Sequence, residues 1–199
     1  MLTICDDFED YLKNSHYIDW YHASIKEAAA NLLVPDNDVE TVRKTYEYVR
    51  DQVKHSWDAR DKRITVTASD VLREGVGICW AKSNLLAVLL RANHIPAGIC
   101  YQRLTLGDTP DTGYCIHALN AVFLKSLNRW IRLDARGNKE GITAEMRLEG
   151  EKLAFPVRAE MGEIDYNQVC AEPLSITMDV LENSTDALYM YLHSLPDSI

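Results

Sequence analysis

The chain has 199 residues, 47% of them hydrophobic and 26% charged, the balance of a globular protein rather than a fibrous or disordered one. At this length a fold buries about 70% of the surface its unfolded chain exposes, so a core needs neither metal nor disulfide to hold it. Lys and Arg number 21 against 30 Asp and Glu, a net charge of -9 that repels nucleic-acid phosphates and anionic lipid and argues against nucleic acid as a partner.

In chain order, residues 16–33 predict a helix, with Ile18, Tyr21, Ile25, Ala28, Ala29 and Leu32 at helical spacing before Pro35 stops it. Asp36, Asn37 and Asp38 offer N-caps for a second helix running to about residue 55, with Val39, Val42, Tyr46, Val49 and Val53 along one face. Ser69 or Asp70 can cap a short helix ended by Gly75, and Gly77 follows as a bare approach to the next element. From Cys79 to Asn93 the chain is helical in pattern and apolar on most sides, as in a helix buried in the core, until His94-Ile95-Pro96 ends it.

The texture then changes to strands at Ala97–Leu104, Ile116–Leu124 and Trp130–Asp134, the last two joined by a turn at Ser126–Arg129 as an antiparallel hairpin. Gly107–Gly113 and Arg136–Gly141 read as polar loops. Asp165–Ala171 and Leu174–Met178 read as peripheral structure, and Met178–Leu195 as a terminal helix with polar interruptions. No repeat or flexible linker divides the chain, so the expectation is one α+β domain over residues 1–199, with a core at about 40–140 and extensions on both sides.

The longest aliphatic run, Leu85 to Leu90, is far below the ~20 residues that cross a bilayer. Asp6, Asp7, Glu9 and Asp10 stand where a signal peptide would carry basic and apolar stretches. Five cysteines, Cys5, Cys79, Cys100, Cys115 and Cys170, are odd in number and lack Cys-x-x-Cys spacing, which suggests neither a disulfide framework nor a zinc site. A reducing cytoplasm, no membrane, no metal and no cofactor are the corresponding expectations.

Cys79 carries the chemistry. It opens the central helix, where unpaired backbone N–H groups and the helix dipole favour an anion and can also bind an oxyanion. A thiol nucleophile needs a proton carrier, and His117 lies early in an apolar strand beside a polar loop. Asp134 closes the partner strand of the hairpin, where pairing can bring its carboxylate against the imidazole. Cys100 and Cys115 fit burial in strands, Cys5 and Cys170 ordinary free thiols, and His16, His22, His55 and His193 the surface, while His94 terminates the central helix. Trp20, Tyr46, Tyr48 and Trp130 fit core packing.

The segments GVGICWAKSNLLAVLLRANHIPAG, HALNAVFL and RWIRLDARGN together resemble the core of the transglutaminase-like superfamily of thiol enzymes, over roughly residues 40 to 140. The resemblance implies a transglutaminase-like, papain-like cysteine proteinase fold, with the central helix carrying the nucleophile and packed on an antiparallel sheet. It implies Cys79 as nucleophile, His117 as acid/base and Asp134 as the group that orients the histidine. Gly77, Leu85-Leu86, Arg91, Ile95-Pro96, Trp130 and Leu133 match further; Leu119 replaces the tryptophan of a His-Ala-Trp pattern and Ala135 a proline that often follows the aspartate.

Members of the superfamily often place an upstream aromatic or glutamine N–H at the oxyanion, which makes Gln52, Trp57 and Trp80 candidates. Trp57 stands where a helix runs into a polar loop, a place that can project a side chain into a cleft. The expected function is amide cleavage in a peptide or protein substrate through a thioester, as a cysteine protease or amidase. The superfamily also holds transglutaminases, which pass a glutamine acyl group to an amine, and inactive members that would be noncatalytic peptide- or protein-binding modules. Hydrolysis is favoured here because neither a calcium-loop signature nor large accessory domains are visible.

Overall fold

The computed structural model describes residues 2–199. A short strand β1 (Thr3–Ile4) leads through a 3-10 turn at Phe8–Leu12 to helix α1 (Ala23–Leu32). The helix begins later than its apolar pattern predicts, because side chains ahead of it capture the backbone. Asn14 Oδ1 accepts from the N–H of Tyr21 at 2.9 Å and Ser15 Oγ from that of Ile18 at 3.3 Å, local bonds that compete with a helical ladder. Ile18 is nonetheless buried, so the periodicity correctly marks a core residue.

Helix α2 (Asp38–Gln52) starts as expected at Asn37, whose Oδ1 accepts from the Glu40 N–H at 3.0 Å, and buries Val42, Tyr46 and Val49. It passes into strand β2 (Lys54–His55) and one helical turn, α3 (Ser56–Ala59). Helix α4 (Ala68–Glu74) is capped by Thr67 rather than by Ser69 or Asp70. Thr67 Oγ1 accepts from the Asp70 N–H and Asp70 Oδ2 from the Thr67 N–H, each at 3.2 Å, a reciprocal capping box. Gly75, at φ +65°, ends the helix in the left-handed conformation expected of it.

Strand β3 (Val76–Gly77) then enters helix α5 (Cys79–Ala92), in which every side chain from Trp80 to Arg91 is buried. It packs against α1, α2 and α4 on one side and against strands β4 (Ala97–Thr105) and β5 (Tyr114–Leu124) on the other. Its all-round apolarity thus has the expected cause: protein on every face. The polar members of its face make bonds suited to that depth. Lys82 Nζ donates to the last carbonyls of α2, at 2.5 Å to Val53 and 3.3 Å to Arg50, and so closes the end of that helix.

The sheet runs β1-β7-β4-β5-β6, with β6 at Arg129–Leu133 and β7 at Ile164–Cys170; β1 lies parallel to β7 and the other pairs are antiparallel. The β5–β6 hairpin is as predicted, with Asn120 opposite Leu133 and Leu124 opposite Arg129. The segment expected to be peripheral, β7, is instead a full member of the sheet beside β4. The terminal helix is two, α6 (Ser175–Glu182) and α7 (Ala187–His193), because Asp186 Oδ1 accepts from the N–H groups of Leu188 and Tyr189 and restarts the helix.

At Gly98 on β4 a Cβ would lie 2.6 Å from Val169 Cγ1, 2.8 Å from Tyr11 Cε1 and 2.9 Å from the Cys170 carbonyl oxygen. Gly98→Ala is therefore expected to cost about 1–3 kcal/mol, the range for overpacking a filled site, read as a lower urea midpoint at unchanged slope. A midpoint equal to that of the unaltered protein would mean that β4 and β7 can part without cost.

Candidate active site

Cys79 is the first residue of α5, half-buried at the floor of a cleft of about 470 Å³. The approach is tight: a Cβ on Gly77 would lie 3.1 Å from both Ala81 Cβ and Thr65 Oγ1. His117, on β5, and Asp134, the first residue after β6, are buried at 3% and 1% exposure. Hairpin pairing brings His117 Nε2 to 2.9 Å from Asp134 Oδ2. The other ring nitrogen is not engaged by Asp134, and Cys79 is among the neighbours that raise the imidazole.

Burial alone would push the His117 imidazole down, but the Asp134 carboxylate, with Cys79 acting in the same direction, outweighs it and holds it up to about 10. For Asp134, burial works upward and is overcome by the His117 charge and by two backbone donors, so the carboxyl sits below its ordinary value. The N–H of Arg136 reaches Oδ1 and that of Ala154 reaches Oδ2, each at 3.1 Å. Phe155 meets the imidazole edge to face, at 5.2 Å and 87°, and closes it off from that side.

The model of the transglutaminase-like superfamily matches residues 26–135, more than half of the chain and all three of these residues. The chain belongs to the transglutaminase-like superfamily. Among solved structures, that of a "putative cysteine protease" from Cytophaga hutchinsonii matches with a TM-score of 0.50 at 20% identity, over 66% of this chain and 43% of that one. This chain thus spans less than half the length of that neighbour, and the likeness is one of fold. No curated protein matches the chain significantly.

Of the superfamily-type oxyanion candidates, Trp57 lies on the cleft wall, stacked on Tyr191 of α7 at 4.4 Å. Trp80 also lines the cleft, but its ring is buried and its N–H is committed to the Ile116 carbonyl at 2.8 Å. That bond fixes the residue preceding His117 and removes Trp80 as a free donor. Gln52 is exposed at the end of α2 and is not part of the cleft lining. Leu119, where a tryptophan would be usual, packs with Tyr11, Cys100 and Val169 in a second apolar cluster, while Ala135 is buried in the main core.

Among the cleft residues that escaped the sequence reading are His55, Arg136 and Cys115. His55 is buried rather than on the surface. Arg136, assigned to a polar loop, is 5% exposed and grips Asp58 through two bonds of 2.5 and 3.2 Å. Cys115 lines the cleft as well, but burial, and then the Cys79 charge, push its thiol up to about 12, so it is a poor second nucleophile. Only Cys115, with its place early in a strand beside a polar loop, carried a signal that could have located it.

No helix among the described residues is long and apolar enough to cross a membrane.

Proposed function

We propose that the chain is a thiol-dependent acyl-transfer enzyme that cleaves amide bonds in peptides or proteins, a cysteine protease or amidase. The observation that carries this reading is the buried imidazole of His117, bound to Asp134 at 2.9 Å and lining the same cleft as Cys79. The Cys79 thiolate attacks the carbonyl carbon, a C–S bond forms, and the π pair moves to oxygen. As the oxyanion collapses, the C–N bond breaks and the His117 imidazolium gives its proton to the leaving amine. Water then attacks the thioester, His117 takes its proton, and the Cys79 thiolate leaves.

A peptide substrate is supported by what already lies beside His117. The Ile116 N–H donates to the Pro196 carbonyl at 3.0 Å, and Leu195 lines the cleft. An extended segment of the chain's own C-terminal end thus already pairs its backbone with this edge of β5, the mode in which a peptide substrate would pair in its place. The five free thiols fit a reducing compartment such as the cytoplasm.

The test is to quench reactions with peptide p-nitroanilides and weigh the intact protein. An acyl adduct mapped to Cys79 and missing in Cys79→Ala is expected, with hydroxylamine diverting the acyl group if amines are accepted. Release of free acid identifies a hydrolase, and amide formed preferentially with an added amine a transglutaminase. Binding without adduct or turnover would contradict the proposal and leave a noncatalytic peptide-binding module.

A further inference from the structure

We propose that His55 is a catalytic residue that donates a hydrogen bond from Nε2 to the oxyanion formed at Cys79. The inference rests on the acyl-transfer reading and concerns the place of the developing negative charge. In the parallel pairing of β2 with β3, His55 stands opposite Gly77, two residues before the nucleophile. Its side chain lines the same cleft as Cys79 and His117 while being only 6% exposed.

His55 Nδ1 is sealed from solvent with no hydrogen-bond partner, and among the described residues no group bonds to Nε2. The helix, sheet and capping bonds of the surrounding elements therefore do not account for this imidazole. A neutral imidazole has one N–H and one lone pair. An unpaired N–H is the rarer and costlier orphan in a protein interior, so the lone pair belongs on sealed Nδ1 and the proton on Nε2, toward the cleft. Burial, and next the charge of Arg136, hold the ring well below the ordinary histidine value, with Asp58, Lys82 and His117 as the other charged neighbours. His55 is thus a neutral donor, distinct in role from the protonated His117.

Helix α5 begins two residues after Gly77, the partner of His55. The helical ladder begins with the Lys82 N–H on the Ile78 carbonyl at 3.0 Å, which leaves the N–H groups of Cys79 and Trp80 without helical partners. Backbone N–H groups at a helix N-terminus together with one neutral side-chain donor make a preorganised oxyanion site. Trp57, another indole donor candidate on the cleft, lies on the wall formed with Tyr191.

Two readouts on the full chain separate this role from the reading beneath it. The first is turnover of p-nitrophenyl acetate, in which an oxyanion forms and nitrophenolate leaves. The second is alkylation of Cys79 by iodoacetamide, in which no oxyanion forms. His55→Ala is expected to lower kcat for the ester about 10²–10³-fold, the range for loss of one oxyanion donor, with KM little changed. Alkylation should stay within about twofold, which also reports that the fold is intact. His55→Gln, which keeps volume and an N–H donor, should recover part of the loss.

If His55→Ala and His55→Gln both turn the ester over at the unaltered rate, the proposal is overturned. It is equally overturned if Trp57→Phe carries the loss of kcat and the His55 variants do not, or if His55→Gln loses alkylation together with turnover. Should the unaltered protein alkylate like an ordinary thiol, be insensitive to His117→Ala and fail to turn over the ester, the acyl-transfer reading fails, and the role of His55 with it.

Discussion

His117→Ala is expected to lower turnover about 10²–10⁴-fold, the usual contribution of a positioned general acid and base. Two losses combine: the proton for the leaving amine disappears, and so does the cation beside Cys79. Asp134→Asn separates them, because it keeps the shape and removes the charge that holds the imidazole up to about 10. With Asp134 present, His117 remains a proton donor until the pH rises through about 10. Without it, the alkaline limb of kcat/KM should move down toward 6.5, the ordinary histidine value. A pH-rate profile checks this, and an alkaline limb in Asp134→Asn identical to that of the unaltered protein would remove Asp134 from the account.

Arg91→Met is expected to cost about 3 kcal/mol of stability, the largest single loss outside the site. The guanidinium is fully buried. It donates to the Ala97 carbonyl from Nε at 3.0 Å and from Nη2 at 2.8 Å, to the Lys13 carbonyl from Nη1 at 2.9 Å, and to the Ala171 carbonyl. One side chain thereby ties the end of α5 to the start of β4, the N-terminal turn and the end of β7. Each carbonyl left without a partner in the interior costs about 1–3 kcal/mol. Burial also pushes the guanidinium down to about 10, so part of the loss is returned when the charge is removed. Arg91→Lys should not rescue, since a single ammonium cannot span three carbonyls in a fork geometry. The check is the urea midpoint at pH 7, and a loss below about 1 kcal/mol would show that the carbonyls find other partners.

Elements with strong apolar periodicity were legible in the sequence. Helices α2 and α5 and strands β4, β5 and β6 each bury a continuous face or the whole element, and their residues say so. Cys79 and Asp134 stand at the edges of such elements and His117 lies within one, near its start, which is why the three were legible as candidates. Strand β7 was not, since Val169 is the one fully buried position in its seven residues and its membership depends on pairing with β4. His55 was hidden for a related reason. A two-residue strand has no periodicity, and its pairing with β3 comes from tertiary structure. The Thr67 cap and the break at Asp186 depend on which of several adjacent polar side chains reaches a backbone N–H. Arg136 read as a solvated loop cation because its partner Asp58 is distant in sequence.

The pairing of Cys79 with His117 is the claim on which the rest depends, and the pH dependence of iodoacetamide labelling measures it most directly. Peptide mapping separates Cys79 from Cys115, whose thiol burial pushes up to about 12 and so silences near neutral pH. At pH 7 Cys79 should label far faster than Cys115, and that excess should vanish in His117→Ala. Labelling of Cys79 at the same rate in both proteins at every pH would contradict the pairing.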